Sequence, residues 1–202
     1  MNQNRWLNLM GALNLSESLQ CFEKLVSSYA ENHRHYHTGH HIDAMLKHFD
    51  KVAELAEHPH EVELAIWFHD AIYKPFSSKN EENSALWAKK FLVDSGYCPA
   101  GVNRVYQLIM ATCHSYTPVS IDEKLIIDID LTILGASTSV FEAYEKQVRK
   151  EYRLVPIMIY KKKRRELLRE FLSQKRLYHT DYFHSHFDAQ ARSNIKRSIQ
   201  AF

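Results

Sequence analysis

The residues best suited to chemistry stand side by side. His69 and Asp70 lie in the run Ala65-Ile-Trp-Phe-His-Asp-Ala-Ile-Tyr73, which is otherwise apolar and reads as helix. An ionised Asp beside an imidazole in such a run is costly unless something pairs with it. A divalent cation is the partner that engages both side chains at once. Neighbouring helix positions point about 100° apart, so one ion meets both only in the angle between them. The pair therefore predicts a metal held between helices, with further ligands from elsewhere in the chain.

Four other stretches can supply them. In Arg34-His-Tyr-His-Thr-Gly-His-His-Ile42, His37 and His41 are four apart and on a helix would share a face. Two such imidazoles can share a metal, or one can bind it while the other handles protons. Asp128 and Asp130 lie in the apolar run Leu125 to Leu134, where a buried carboxylate needs a cation or strong hydrogen bonds. The structural alternative is that one of them caps a helix or pairs with an Arg. His114 stands near a helix end, as a substrate contact or a plain hydrogen-bonded His. In Asn80-Glu-Glu-Asn-Ser-Ala85, Asn80 can cap a helix whose first turn holds Glu81 and Glu82. Capping accounts for Glu82 and leaves Glu81 open as a substrate contact.

The elements that must position these groups are helices. With 202 residues the chain can form one domain with a substantial core, and Gly and Pro number only five each. Apolar residues recur at helical spacing in nine stretches. They are 16–30, 40–55, 60–72, 80–96, 101–113, 124–134, about 137–148, 158–171 and 184–199. This predicts an all-α bundle of about eight or nine helices in a single domain over 1–202. Helices 153–202 would pack on a core that carries the motifs. The Tyr178–His184 stretch reads as packing rather than as a cover for the site.

Composition excludes several partners. The formal charge of +2 is too small to imply nucleic acid, and the Lys161–Arg165 run reads as a solvated helix face. No apolar run is long enough for a membrane span, so no membrane partner is expected. Cys21, Cys98 and Cys113 have no metal-ligand or redox spacing. An odd number of cysteines without a signal peptide points to a cytoplasmic protein.

The order of motifs resembles the HD superfamily of metal-dependent phosphohydrolases, all-α proteins that hold metal by the pattern H…HD…D. The resemblance implies His41, His69, Asp70 and Asp130 as ligands. It favours Asp130 over Asp128 because Leu131 follows directly. Tyr36-His-Thr38, Trp67 to Tyr73, Asn80 to Ala85, Asp128 to Gly135 and Arg149 to Tyr152 are similar to a bacterial subgroup of HD phosphohydrolases. The likeness is densest over about 30–152. Tyr36-His37 followed by His41 also resembles the cyclic-nucleotide phosphodiesterases. That likeness implies His37 as proton donor to the leaving oxygen. Thr38 replaces their Asn, so cyclic-nucleotide activity is not implied.

The resemblance thus implies a hydrolase for a small phosphate ester, a nucleotide among the candidates, with catalysis centred on His37 and Asp70. Its cofactor would be a divalent ion: Mn²⁺, Mg²⁺, Fe²⁺, Co²⁺, Ni²⁺ or Zn²⁺. Arg34, Lys74 and Lys79 lie close enough in sequence to hold a phosphate. The alternative is a non-catalytic metal- or nucleotide-binding sensor on the same fold. A di-iron oxygenase would need ligands beyond the one spare, His114. A helical interaction protein with an incidental His-Asp pair is the remaining rival.

Overall fold

Helix α4 (Pro59–Phe68) is buried over most of its length. Val62, Leu64, Ala65, Ile66, Trp67 and Phe68 are all wholly buried. A helix of that kind must be enclosed by others, and it forms the centre of its unit. The computed structural model describes residues 1–113 and 117–201. Among these it contains ten α-helices, two short 3-10 segments and no strand, so the chain is all-α. Eight or nine helices were expected. The additional one is α1 (Gln3–Ala12), which buries Trp6, Leu9 and Met10. No helix among the described residues is long and apolar enough to cross a membrane.

The chain forms two compact units, Met1–Ile126 and Ile127–Phe202. In the first, α2 (Leu19–Tyr29), α3 (Gly39–Phe49), α5 (Asn80–Asp94) and α6 (Pro99–Ala111) join α1 and α4. Helices α1, α3, α5 and α6 pack against α4. The rings of Trp6, Phe22, Trp67, Phe68 and Phe91 form a cluster, with Trp6 edge-on to Trp67 at 5.6 Å. Such clusters combine large apolar burial with favourable ring geometry. Glu61 is the buried charge of α4. It accepts two hydrogen bonds of 2.7 Å from Arg104 and one of 2.9 Å from the Tyr97 hydroxyl.

Helix α7 (Ile121–Asp130) leads into the second unit. There it is followed by a 3-10 turn at Leu131–Gly135, then α8 (Thr138–Glu151), α9 (Ile157–Ser173) and α10 (Asp181–Ala201). The expected helix 124–134 is thus split, its last turn being 3-10. Gly135 makes that turn possible beside α10: a Cβ there would lie 2.7 Å from the Phe187 Cβ and 2.8 Å from its carbonyl oxygen. Asn194 fixes the same turn by donating to the Leu134 and Ala136 carbonyls at 2.8 Å each. Arg164 of α9 donates to Glu145 and Tyr144 of α8. The Tyr178–His184 stretch packs within this unit, the Tyr178 hydroxyl donating to the Leu131 carbonyl at 2.9 Å.

Candidate metal centre

Helix α4 ends one residue before the His-Asp pair. His69 is its C-terminal cap, still helical at φ −54° and ψ −37°, with its N–H donated to Ala65. The chain then turns, Ala71 N–H reaching back to the Phe68 carbonyl at 2.9 Å. The pair is therefore not inside a helix, as its apolar flanks suggested. It stands where the helix opens, and that turn lets adjacent side chains aim at one point.

His69 is oriented by its own helix. Its Nδ1 lies 2.9 Å from the Ile66 carbonyl. A carbonyl only accepts, so Nδ1 carries the proton and Nε2 offers a lone pair. This is how metal-binding imidazoles are commonly held. The His69 Nε2 lies 3.2 Å from the His41 Nε2 and 3.1 Å from the Asp70 Oδ2, and the latter two atoms are 3.8 Å apart. Two ligands at right angles on one ion, each about 2.1 Å from it, lie ~3.0 Å apart. The three donor atoms thus have the spacing and chemistry that a divalent ion requires. His41 and His69 are buried, and Asp70 is nearly so. Burial alone would push the Asp70 carboxyl up. The His69, His37 and His41 rings outweigh it and hold the group well below its ordinary range.

His37 joins this group by a different route from the one its spacing suggested. It precedes α3, which begins at Gly39, so it shares no helix face with His41. Its ring instead stacks on Tyr73 at 4.2 Å and meets the His41 ring edge-on at 6.1 Å. The imidazole therefore stands beside the ligand set.

The remaining expected residues are placed as follows. Arg34 is buried, its donors engaged by Glu31 and by the carbonyls of His37, Asp70 and Ala71. That position does not suit the substrate contact expected of it, because the charge faces protein on all sides. Lys74 and Lys79 are exposed, and Glu81 is half-buried in the first turn of α5. Asn80 does not cap α5. Its side chain bridges the Lys74 N–H and carbonyl at 3.0 and 2.9 Å. Ser84 likewise accepts the Ile72 N–H at 3.0 Å, so α5 fastens the loop that follows Asp70. His114 lies outside the described residues.

In the second unit, Asp128 is wholly buried and structural. It accepts 2.7 Å hydrogen bonds from the His179 N–H, the Thr180 N–H and the Thr180 hydroxyl, just ahead of α10. Asp130 is the half-buried last residue of α7, and its charge acts on the Tyr144 phenol of the same unit.

Glu57, His58 and Asp122 form another group in the first unit with metal-compatible spacing. Its geometry has a simpler cause. Asp122 accepts the Glu57 and His58 N–H groups at 2.8 and 3.0 Å, which secures the start of α4. The sequence did not reveal the roles of Arg34 and Tyr73. The partners of Arg34 are mostly main-chain carbonyls, which leave no mark on residue type.

No family model, curated protein or solved structure matches the chain.

Proposed function

We propose that the protein is a metal-dependent phosphohydrolase acting on a small phosphate ester, with nucleotides the first class to test. The observation that carries the reading is the convergence of His41 Nε2, His69 Nε2 and Asp70 Oδ2 within 3.8 Å of one another. Two imidazoles and a carboxylate suit Mn²⁺, Fe²⁺, Co²⁺, Ni²⁺ or Zn²⁺, with Mg²⁺ the least favoured by nitrogen ligands. The sequence resemblance adds Asp130 as a fourth ligand. A bound ion of this kind lowers the pKa of its water and offsets charge on phosphoryl oxygens.

The residues of the chain then divide the work. His41 and His69 bind through Nε2, and the Ile66 carbonyl keeps His69 in the required tautomer. Asp70 stays ionised and contributes negative charge to the ligand set. His37, protonated, donates to the leaving oxygen, a role commonly worth about 10²–10⁴-fold. Stacking on Tyr73 restricts the ring to one orientation for that transfer. Cys21, Cys98 and Cys113 are free, in keeping with a cytoplasmic setting.

The test is phosphate release from a panel of nucleotides and simple phosphate esters with added Mn²⁺. Turnover by the wild type that is abolished in Asp70→Ala and reduced about 10²-fold or more in His37→Ala supports the proposal. Turnover unchanged in Asp70→Ala overturns it.

A further inference from the structure

Beside the candidate ligands lies a buried cation whose guanidinium reaches one of them, Asp70, at its main-chain carbonyl. The Arg34 side chain is 0% exposed. Its guanidinium stands over the Tyr29 and Tyr73 rings, 5.1 and 5.4 Å from their centroids. Nε donates to Glu31 at 3.0 Å. One terminal nitrogen donates to the His37 carbonyl at 3.2 Å and to the Asp70 carbonyl at 2.7 Å, and the other donates to the Ala71 carbonyl at 3.0 Å.

Burying a charge carries a desolvation cost, and only one of these four acceptors is a carboxylate. Two apolar side chains could tie the same segments together without that cost. A planar guanidinium adds direction, because its donors point along fixed lines in one plane. The acceptors here belong to His37 on one segment and to Asp70 and Ala71 on the other. A single nitrogen serves both His37 and Asp70, so it sets the distance between their backbones.

The same two segments meet at a second point. His33 Nε2 lies 2.8 Å from the Tyr73 carbonyl and, facing an acceptor, is the donor. Its ring is nearly parallel to Tyr73, at 8° and 6.2 Å. Residues 33–37 therefore grip the turn at 70–73 from both ends. The His37 ring rests on Tyr73 within that grip.

We infer that Arg34 is a positioning residue: its fork locks the His37 segment to the His69–Asp70 turn, so that the proton donor and the metal ligands keep one spacing. The inference rests on the metal-centre reading proposed above. Lysine cannot substitute, since an ammonium is a point charge without the planar fork.

The experiment compares wild type, Arg34→Lys and Glu31→Gln. Mn²⁺ affinity and the visible spectrum of the Co²⁺-loaded protein are measured. Backbone NMR resonances of His37 and Asp70 and thermal unfolding are followed without metal. Folded Arg34→Lys is expected to bind Mn²⁺ about 10–100-fold more weakly, the usual effect of losing support behind a ligand. Its Co²⁺ bands should change, and the His37 and Asp70 resonances should move together. A role confined to stability would lower the melting temperature and leave the folded protein's affinity and Co²⁺ spectrum unchanged; that result overturns the inference. Should Arg34→Lys not fold, Glu31→Gln decides. Weaker Mn²⁺ binding at an unchanged melting temperature supports the inference, and wild-type binding overturns it. A wild type that binds neither metal defeats the metal-centre reading instead. The NMR comparison then still decides the clamp, with unmoved resonances counting against it.

Discussion

Glu61 shows what a single buried charge does in this chain. Burial would push its carboxyl up, but hydrogen bonds from Arg104 and Tyr97 prevail and hold it below its ordinary value. A carboxyl lowered in the folded state contributes stability that is present above its unfolded pKa, about 4.3. That contribution is lost as pH falls through the folded value. Glu61→Gln should therefore reduce stability at pH 7 and flatten its dependence between about pH 5 and pH 3. Urea unfolding across that range checks this, and parallel curves for the two proteins would contradict it. The residue scale is also where the sequence was most readable. His69 and Asp70 stood out because ionisable groups among apolar neighbours demand a partner, and His41 stood out by its spacing from His37. Asp128 met the same criterion and has a different answer, since its partners are the N–H groups of His179 and Thr180. Residue type alone does not distinguish a carboxylate that waits for a cation from one that main-chain amides already satisfy.

Helix ends carry the information that apolar periodicity lacks. The periodic pattern located nine of the ten α-helices among the described residues. It ran α4 on to Ile72 and α3 on to Leu55, because apolar residues recur beyond each end, at Ala71 and Ile72 and at Val52 and Leu55. The actual ends, at Phe68 and Phe49, matter more for chemistry than the helices themselves. Stopping α4 at Phe68 turns Asp70 toward His69, and starting α3 at Gly39 frees His37 to stack on Tyr73. Two of these helix starts are anchored by acids of α7: Asp122 holds that of α4 and Asp128 that of α10. Asp128→Ala leaves buried N–H groups and the Thr180 hydroxyl unsatisfied. The expected loss is about 2–4 kcal/mol, measured by chemical denaturation. A loss below about 1 kcal/mol would mean that water replaces the carboxylate.

At the scale of the molecule, the all-α class was legible from composition and spacing. The grouping into two units was not, because both have the same helical periodicity and no Pro- or Gly-rich linker separates them. The candidate site was legible as a set of residue types. Its geometry depends on support that residue types do not announce: the Ile66 carbonyl behind His69, Arg34 behind Asp70, and Asn80 and Ser84 fastening the following loop. His41, His69 and Asp70 stand so close that an ion binding between them would stabilise the folded state. A ligand that binds only the folded protein at 100 times its Kd adds about 2.7 kcal/mol.

The most direct test is therefore a Mn²⁺ titration followed by calorimetry and thermal unfolding, with wild type beside Asp70→Ala. The wild type should bind one ion tightly and melt at a higher temperature as Mn²⁺ is added. Asp70→Ala, folded, should lose that site and the shift. A wild type that shows neither, or a variant that keeps both, would contradict the metal centre.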